Sequence, residues 1–418
     1  MHGPLRVAAA LLLVLASSAA AAPLTLQTDS EEVAATAPAP VVQEPNTTSH
    51  LVLPDDEMRT VRFGTATLDV GGAVSTDNTR LHGRYSVTRL REAFEAAGDD
   101  RAEQRAVVNR TTERLSDRID DLTDRERAAL AAYNDGDIDT RAYLRELVAI
   151  QASAEALRKV ISQLYTFDRA AGMPVDVTRI ARMKAELAPL SGPVRGRLTT
   201  AMTGERTTPL RVYVETSETG FVISMVAEGQ FSTHYIREAY YGGGIDNQWA
   251  DKPINITEFS RRLGELYPWV AENNVGSSSI LTNTPRYLRA GIYGIAFTHP
   301  HGISGSRDLV VYYDAGTDDV FYEVQRLNTD ELPNDRLADA TDDDLRVTVN
   351  GTYASGPLYV HVTDSVTGEP VGATVAVNGE RVGTTDDGRL TTVAPREEFT
   401  VTASYRGRNV TATVDTFM

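Results

Sequence analysis

The sequence predicts a multidomain chain: an N-terminal α-helical bundle, a central α+β antiparallel sheet with one helix, and a C-terminal all-β sandwich. Three observations lead there. The chain has 418 residues, more than one compact core usually organises. Its apolar spacing is helical up to about Pro209 and alternates thereafter, a change of period from 3.6 to 2. Beyond an Asp-rich stretch at 334–344 the composition shifts to Val, Thr and Gly with almost no helix formers.

The elements follow in order. Residues 1–22 run from a short basic start through an apolar stretch at 7–16 to Ser17, Ser18 and the alanines 19–22. That is the pattern of a secretion signal peptide, with an apolar core too short to span a bilayer. Residues 23–50 carry Pro38, Pro40 and Pro45 without periodicity and read as a flexible linker. The mainly helical domain is expected over 51–205. Ser86 would cap a first helix carrying Leu90 and Phe94, and Gly98-Asp99-Asp100 would end it. A second helix, 101–121, places Val107, Val108, Leu115 and Ile119 on one stripe. Thr123-Asp124-Arg125-Glu126 reads as a capping box opening a third, closed at Asn134-Asp135-Gly136, and Asp139 caps a long fourth.

Over 206–330, Leu210, Val212 and Val214 alternate up to the turn at Ser217 to Gly220, and 221–226 completes a hairpin. A third extended run at 231–241 ends in three glycines, Asn255 or Thr257 caps a helix reaching Pro268, and strands return at 287–297, 307–314 and 320–327. This βββ-α-βββ order implies one antiparallel sheet with the helix on one face. An acidic linker is expected at 331–345 and a sandwich at 346–418, where Gly, Asp and Asn turns recur every few residues. Residues from about Leu345 onward are expected to fold alone, with Gly379 and Gly388 at turns that need positive φ.

Charge and composition exclude several classes. Acidic residues number 58 against 41 basic ones, for a net charge of -17, and no basic cluster exists to neutralise phosphates, which sets nucleic acid aside. Lys159, Lys184 and Lys252 are the sole lysines. An acid-rich, Arg-dominated surface suits molar salt, where self-repulsion is screened. The absence of Cys removes disulfides, thiolate metal sites and thiol catalysis. The Asn134 to Asp139 segment lacks the oxygen ligands of a calcium loop at its frame positions, which hold Ala131, Tyr133 and Ala142.

Candidates for chemistry fall in the α+β domain. His234, His299 and His301, with Asp308 nearby, are the only set that could make a three-ligand metal site. Tyr235, Arg237, Tyr240, Tyr241 and Trp269 have the aromatic and Arg character of a binding surface, although such strands also make cores. No cofactor is expected. Sequons stand at Asn46, Asn109, Asn255, Asn350 and Asn409, with Asn46 and Asn350 the favoured glycosylation sites.

The run from Asp364 to Val375, with Asn378-Gly379 and then Gly383 to Leu390, resembles the carboxypeptidase regulatory-like module. That resemblance implies an immunoglobulin- or transthyretin-like sandwich, non-catalytic and used as a spacer or adhesion unit. Ser191-Gly192-Pro193-Val194-Arg195, Tyr213 to Ser217, Arg237-Glu238-Ala239 and Glu265 to Trp269 make the remainder similar to an uncharacterised group of haloarchaeal secreted proteins. The expected protein is therefore exported, salt-adapted and non-enzymatic, extracellular or at the cell surface, meeting a protein or glycan of the envelope. No transmembrane helix is expected in the mature chain. The alternative is a secreted hydrolase or protease regulator working through the α+β domain.

Overall fold

The computed structural model describes residues 41–42, 50–171, 177–229, 232–244, 256–268, 279–280, 292–297, 308–314, 316–317, 319–342 and 344–415. The order of elements is β1 (Val41–Val42), β2 (His50–Leu51), β3 (Met58–Ala66), α1 (Val70–Ala96), α2 (Arg101–Asn134), α3 (Thr140–Ala171), α4 (Val177–Glu186) and α5 (Pro193–Met202). Then come β4 (Leu210–Ser217), β5 (Gly220–Glu228), β6 (Thr233–Tyr241), α6 (Ile256–Leu266), β7 (Ser279–Ile280), β8 (Ile292–Phe297), β9 (Leu309–Asp314) and β10 (Asp319–Asn328). The chain closes with β11 (Asp335–Asp342), β12 (Leu345–Gly351), β13 (Pro357–Asp364), β14 (Thr374–Val377), β15 (Glu380–Thr384), β16 (Arg389–Val393), β17 (Phe399–Tyr405) and β18 (Arg408–Val414).

The helical expectation holds in class and changes in detail. Helix α1 begins at Val70, sixteen residues before Ser86, because Asp69 caps it by accepting from Gly72 N at 2.8 Å. Ser86 lies inside that helix, its hydroxyl turned back onto the His82 carbonyl. Asp100 caps α2 as the Gly98-Asp99-Asp100 stop implies, and Gly98 has φ +53°. The capping box at Thr123 does not form. Helix α2 runs unbroken through it, Thr123 bonding the Ile119 carbonyl, because the apolar stripe of Leu115, Ile119, Leu122, Leu130 and Tyr133 continues across the site. Asp139 caps α3 as expected, accepting from Ala142 N at 2.7 Å.

The eight-stranded antiparallel sheet has the order β3-β4-β5-β6-β10-β9-β8-β7. Its centre matches the hairpins read from sequence. Its edge does not: β3 precedes α1–α5 and pairs with β4, so the helical stretch is inserted between two neighbouring strands of one sheet. Both faces of the sheet are covered. Helical residues Leu130, Tyr143, Leu147, Val194 and Leu198 pack with Val212, Val214, Ile223 and Ile236 on one face. On the other, Phe63, Tyr213, Tyr235 and Leu327 join the sandwich core of Val347, Val349, Val360, Phe399 and Val401. This is why β5 and β6 are buried along most of their length rather than alternately.

The sandwich consists of two four-stranded sheets, β11-β12-β13-β16 and β15-β14-β17-β18. The acidic stretch expected as a linker contains β11, which pairs with β12 from Asp335↔Gly351 to Asp342↔Leu345. Its side chains face mostly outward, and an Asp-rich edge strand discourages pairing with other chains. A fragment beginning at Leu345 therefore lacks an edge strand. We expect a fragment beginning at Pro333 to give a cooperative urea transition and one beginning at Leu345 to give none; equal transitions for the two would show that β11 adds nothing to the sandwich.

Candidate functional site

Because side chains alternate along a strand, β6 divides the residues grouped by sequence between two opposite faces. Tyr235, Arg237 and Tyr241 lie toward the sandwich side, while Glu238 and Tyr240 lie toward the helices. Trp269 lies outside the described residues. Tyr235, Arg237 and Glu238 are fully buried, so they cannot form an exposed binding surface. They form two ionic joints between layers instead.

The first joint is on the helical side. Helix α5 starts at Pro193 after Gly192, which offers no capping side chain. The Glu238 carboxylate does that work from the sheet, accepting from the Val194 amide and from Arg195 N at 3.3 Å, where the helix terminus favours negative charge. A Cβ on Gly192 would run into the Glu238 carboxyl, so a larger residue there would displace the carboxylate that caps α5. Arg195 then links Glu126 of α2 to Glu238, lying 3.6 Å from the latter, with its guanidinium 4.9 Å from the Phe221 ring centroid. Burial pushes the Glu238 carboxyl up to about 7, with Arg195 opposing, and burial also raises Glu126.

The second joint is on the opposite face. Glu323 of β10 accepts from Arg237 at 2.9 Å, Leu51 N at 2.9 Å, the Tyr267 hydroxyl at 2.6 Å and Gln325 at 2.9 Å. Arg237 in turn donates to the Leu51 carbonyl. Together they hold β2, the end of the stretch expected to be a flexible linker, which also pairs with β1. Nearby, the Tyr235 hydroxyl donates to the Ser355 carbonyl at 2.7 Å, Ser355 donates to Glu215, and Arg396 of the sandwich donates to the Tyr213 hydroxyl and the Leu53 carbonyl. Sequence reasoning missed Arg195, Glu126 and Glu323. The signal available for Arg195 was its place in the first turn of a helix opened by Gly-Pro.

The remaining candidates are dispersed. Tyr240 packs on Phe221 at 5.6 Å between ring centroids, and Tyr241 donates to Glu57 at 3.0 Å; burial pushes both phenols up to about 12. His234 is bonded to Ser232 at 2.8 Å and its pKa is lowered by burial. His299 and His301 lie outside the described residues, and among the described residues no His, Asp and Glu group is arranged to hold a metal. Asp308 is buried, its carbonyl accepting from Arg326 N at 2.7 Å. Of the sequons, Asn46 and Asn255 lie outside the described residues. Asn109 and Asn409 are exposed, the latter beside the β17–β18 turn, whereas Asn350 sits in the inner strand β12 with its amide on Asn334.

A pH dependence follows from Glu238. An acid whose folded pKa is raised stabilises the fold fully below its unfolded value and loses that contribution as pH rises through the folded one. Glu238 should thus weaken the fold between its ordinary value near 4.5 and about 7. Asp69 and Asp339, lowered by hydrogen bonds from Gly72 and Arg346, act oppositely and matter only in acid. Urea midpoints should fall between pH 5 and pH 8, and Glu238→Gln should flatten that fall; an equally steep profile in the variant would assign it elsewhere.

Three family models match successive stretches of this layered chain. Residues 1–207 match a domain of unknown function (DUF7096), 212–333 a family of unknown function (DUF7094), and 336–412 an archaeal fibronectin-III type-like domain. The chain is therefore similar to an archaeal family of unknown function that carries a C-terminal β-sandwich. No curated protein and no solved structure matches it. The last match begins within β11, in agreement with that strand's pairing. It carries the fibronectin-III type-like description in place of the carboxypeptidase regulatory-like one, for a stretch that folds as a sandwich in either case.

Proposed function

We propose that the chain is an exported, salt-adapted, non-enzymatic module of the cell surface or extracellular space, a rigid unit that presents its faces to an envelope protein or glycan. The observation that carries this reading is the use of the buried ionisable groups. Arg195, Glu126, Glu238, Arg237 and Glu323 are all engaged in joining helices, sheet and the 50–53 segment, which is the work of a structural unit. A fibronectin-III type-like domain and the leader-like residues 1–22 support it, as does the net charge of -17. Among the described residues no helix is long and apolar enough to cross a membrane.

The test is fractionation of a halophilic archaeal host expressing the full chain with a C-terminal tag. The tagged protein is expected in the envelope or medium, and in the cytoplasm once residues 7–16 are deleted; a cytoplasmic full-length protein would overturn the proposal. Salt adaptation has its own measurement. On dilution from molar to tenth-molar salt the Debye length grows from about 3 Å to about 10 Å, and the circular dichroism of the native fold should be lost; an unchanged spectrum would remove that part of the reading.

A further inference from the structure

The face of the large sheet that meets the sandwich is not covered along its whole length. Between β4, β5 and the sandwich strands β15 and β16 lies an open cleft of about 460 Å³, within the size range of small-molecule sites, roughly 300–1,000 Å³. Three parts of the chain build it: Arg206 comes from the segment between α5 and β4, Arg211 and Glu228 from the sheet, and Asp386 and Arg389 from the sandwich. Its charges are sorted by depth. Arg206 and Arg211 are half-buried, whereas Glu228, Asp330, Asp386 and Arg389 are exposed.

The arginines of the cleft lack what arginines elsewhere in the chain have. Arg346 sits on Asp339 and Arg396 on Asp55, but among the described residues Arg206, Arg211 and Arg389 make no ion pair. Arg211 donates to the Thr65 hydroxyl, and the carboxylate that its charge does reach, Glu380, accepts from the Phe63 amide. Arg206 is the sharper case. Its amide is fixed on the Thr200 carbonyl at 3.0 Å, and its Nε is shut off from water without a hydrogen-bond partner. A donor left in that condition costs stability. The surroundings are positive too: burial, and then the charges of Arg206 and Arg326, lower Arg197. His234 is lowered by burial and then by Arg197, with Asp330 and Asp308 opposing.

An anion answers the arginines, and the rest of the lining defines what else the ligand carries. Thr233 and Thr391 bring hydroxyls, and the exposed Glu228, Asp330 and Asp386 bring acceptors, a set that suits a ligand rich in hydroxyl groups. Val226 and Leu390, both half-buried, add a small aliphatic wall. We propose that the cleft binds an acidic sugar, its carboxylate on the arginines and its hydroxyls on the threonines and the rim carboxylates. The proposal rests on the glycan reading above and narrows it to anionic saccharides. Molar salt is compatible with it, since a Debye length of about 3 Å weakens exposed charges far more than half-buried ones.

The test is calorimetric titration of the full chain in molar salt with D-glucuronate, D-glucose and acetate. Glucuronate is expected to bind saturably, with glucose and acetate weaker by about tenfold or more. Arg206→Ala should weaken glucuronate by about tenfold or more, the size of a hydrogen bond to a charged group. Arg206→Gln, which keeps most of the side-chain stem, should behave likewise, and Arg346→Gln, which does not line the cleft, should bind as the parent does. Because Arg206 has no partner to lose, both of its variants should keep the parent's urea midpoint in the absence of sugar. The proposal is overturned if glucuronate shows no saturable binding, if glucose binds as tightly, or if acetate binds as tightly, which would leave a simple anion site. It is also overturned if both Arg206 variants bind as the parent does or lose stability without the sugar, which would make Arg206 structural. Export is read separately by fractionation: an exported chain that does not bind glucuronate overturns this proposal alone, and a cytoplasmic chain that binds it overturns the proposed location alone.

Discussion

Glu323→Ala is expected to lower stability by about 3–5 kcal/mol, the cost of leaving one charge of a buried pair without its partner. Arg237 is 1% exposed and would keep its charge with the carboxylate gone. The Leu51 amide and the Tyr267 hydroxyl would lose their acceptor in the same step, adding the penalty of unsatisfied buried donors. Glu323→Gln keeps an acceptor oxygen and should recover part of the loss. Urea denaturation in constant high salt measures both. A midpoint for Glu323→Ala equal to that of the unmodified protein would show that the carboxylate does not hold the 50–53 segment, and an identical loss in the amide variant would show that charge alone matters.

Gly388→Val is expected to be comparably damaging, about 2–5 kcal/mol, from left-handed backbone strain together with overpacking. Gly388 has φ +73°, and a Cβ there would stand 2.7 Å from both the Pro370 Cβ and the Val362 carbonyl. Gly379 has φ +79° with nothing within 4 Å of its Cβ position, so Gly379→Val should bear the backbone term alone, about 1–2 kcal/mol. The order of the two variants is the informative result. Equal losses would mean that the contact with Pro370 and Val362 relaxes away and that only φ counts.

These glycines also show what kind of structure a sequence displays. Asn378-Gly379, Asp387-Gly388 and Arg406-Gly407 all have positive φ at both positions, as the two-residue hairpin loops that suit twisted strands require. Turn chemistry of this sort is local, and the sandwich hairpins and the β4–β5 hairpin were legible for that reason. Strands β3 and β11 were not. In β3, Arg59 and Arg62 interrupt the apolar pattern at a sheet edge, and in β11 most side chains face water, so neither carries the hydrophobic alternation by which a strand is recognised. The Thr123 motif failed for the opposite reason: its local pattern is that of a capping box, but Glu126 is engaged by Arg195, 69 positions away.

The candidate site was legible as a set of residues and not as an arrangement. Tyr235, Arg237, Tyr240 and Tyr241 stand out for chemistry, and strand alternation alone would have split them between two faces. What lies opposite each face depends on which elements cover the sheet. The insertion of α1–α5 between β3 and β4 is a long-range fact with no local trace in the sequence.

The grip on Leu51 has a mechanical meaning. Its N–H is held by Glu323 and its carbonyl by Arg237, and the Leu53 carbonyl two residues on is held by Arg396 of the sandwich. Tension applied to the chain ahead of residue 50 would not peel a strand from an edge one bond at a time. It would load several side-chain bonds at once, rooted in the middle strands of the large sheet and in the sandwich, so the pull is shared between two layers before either begins to open.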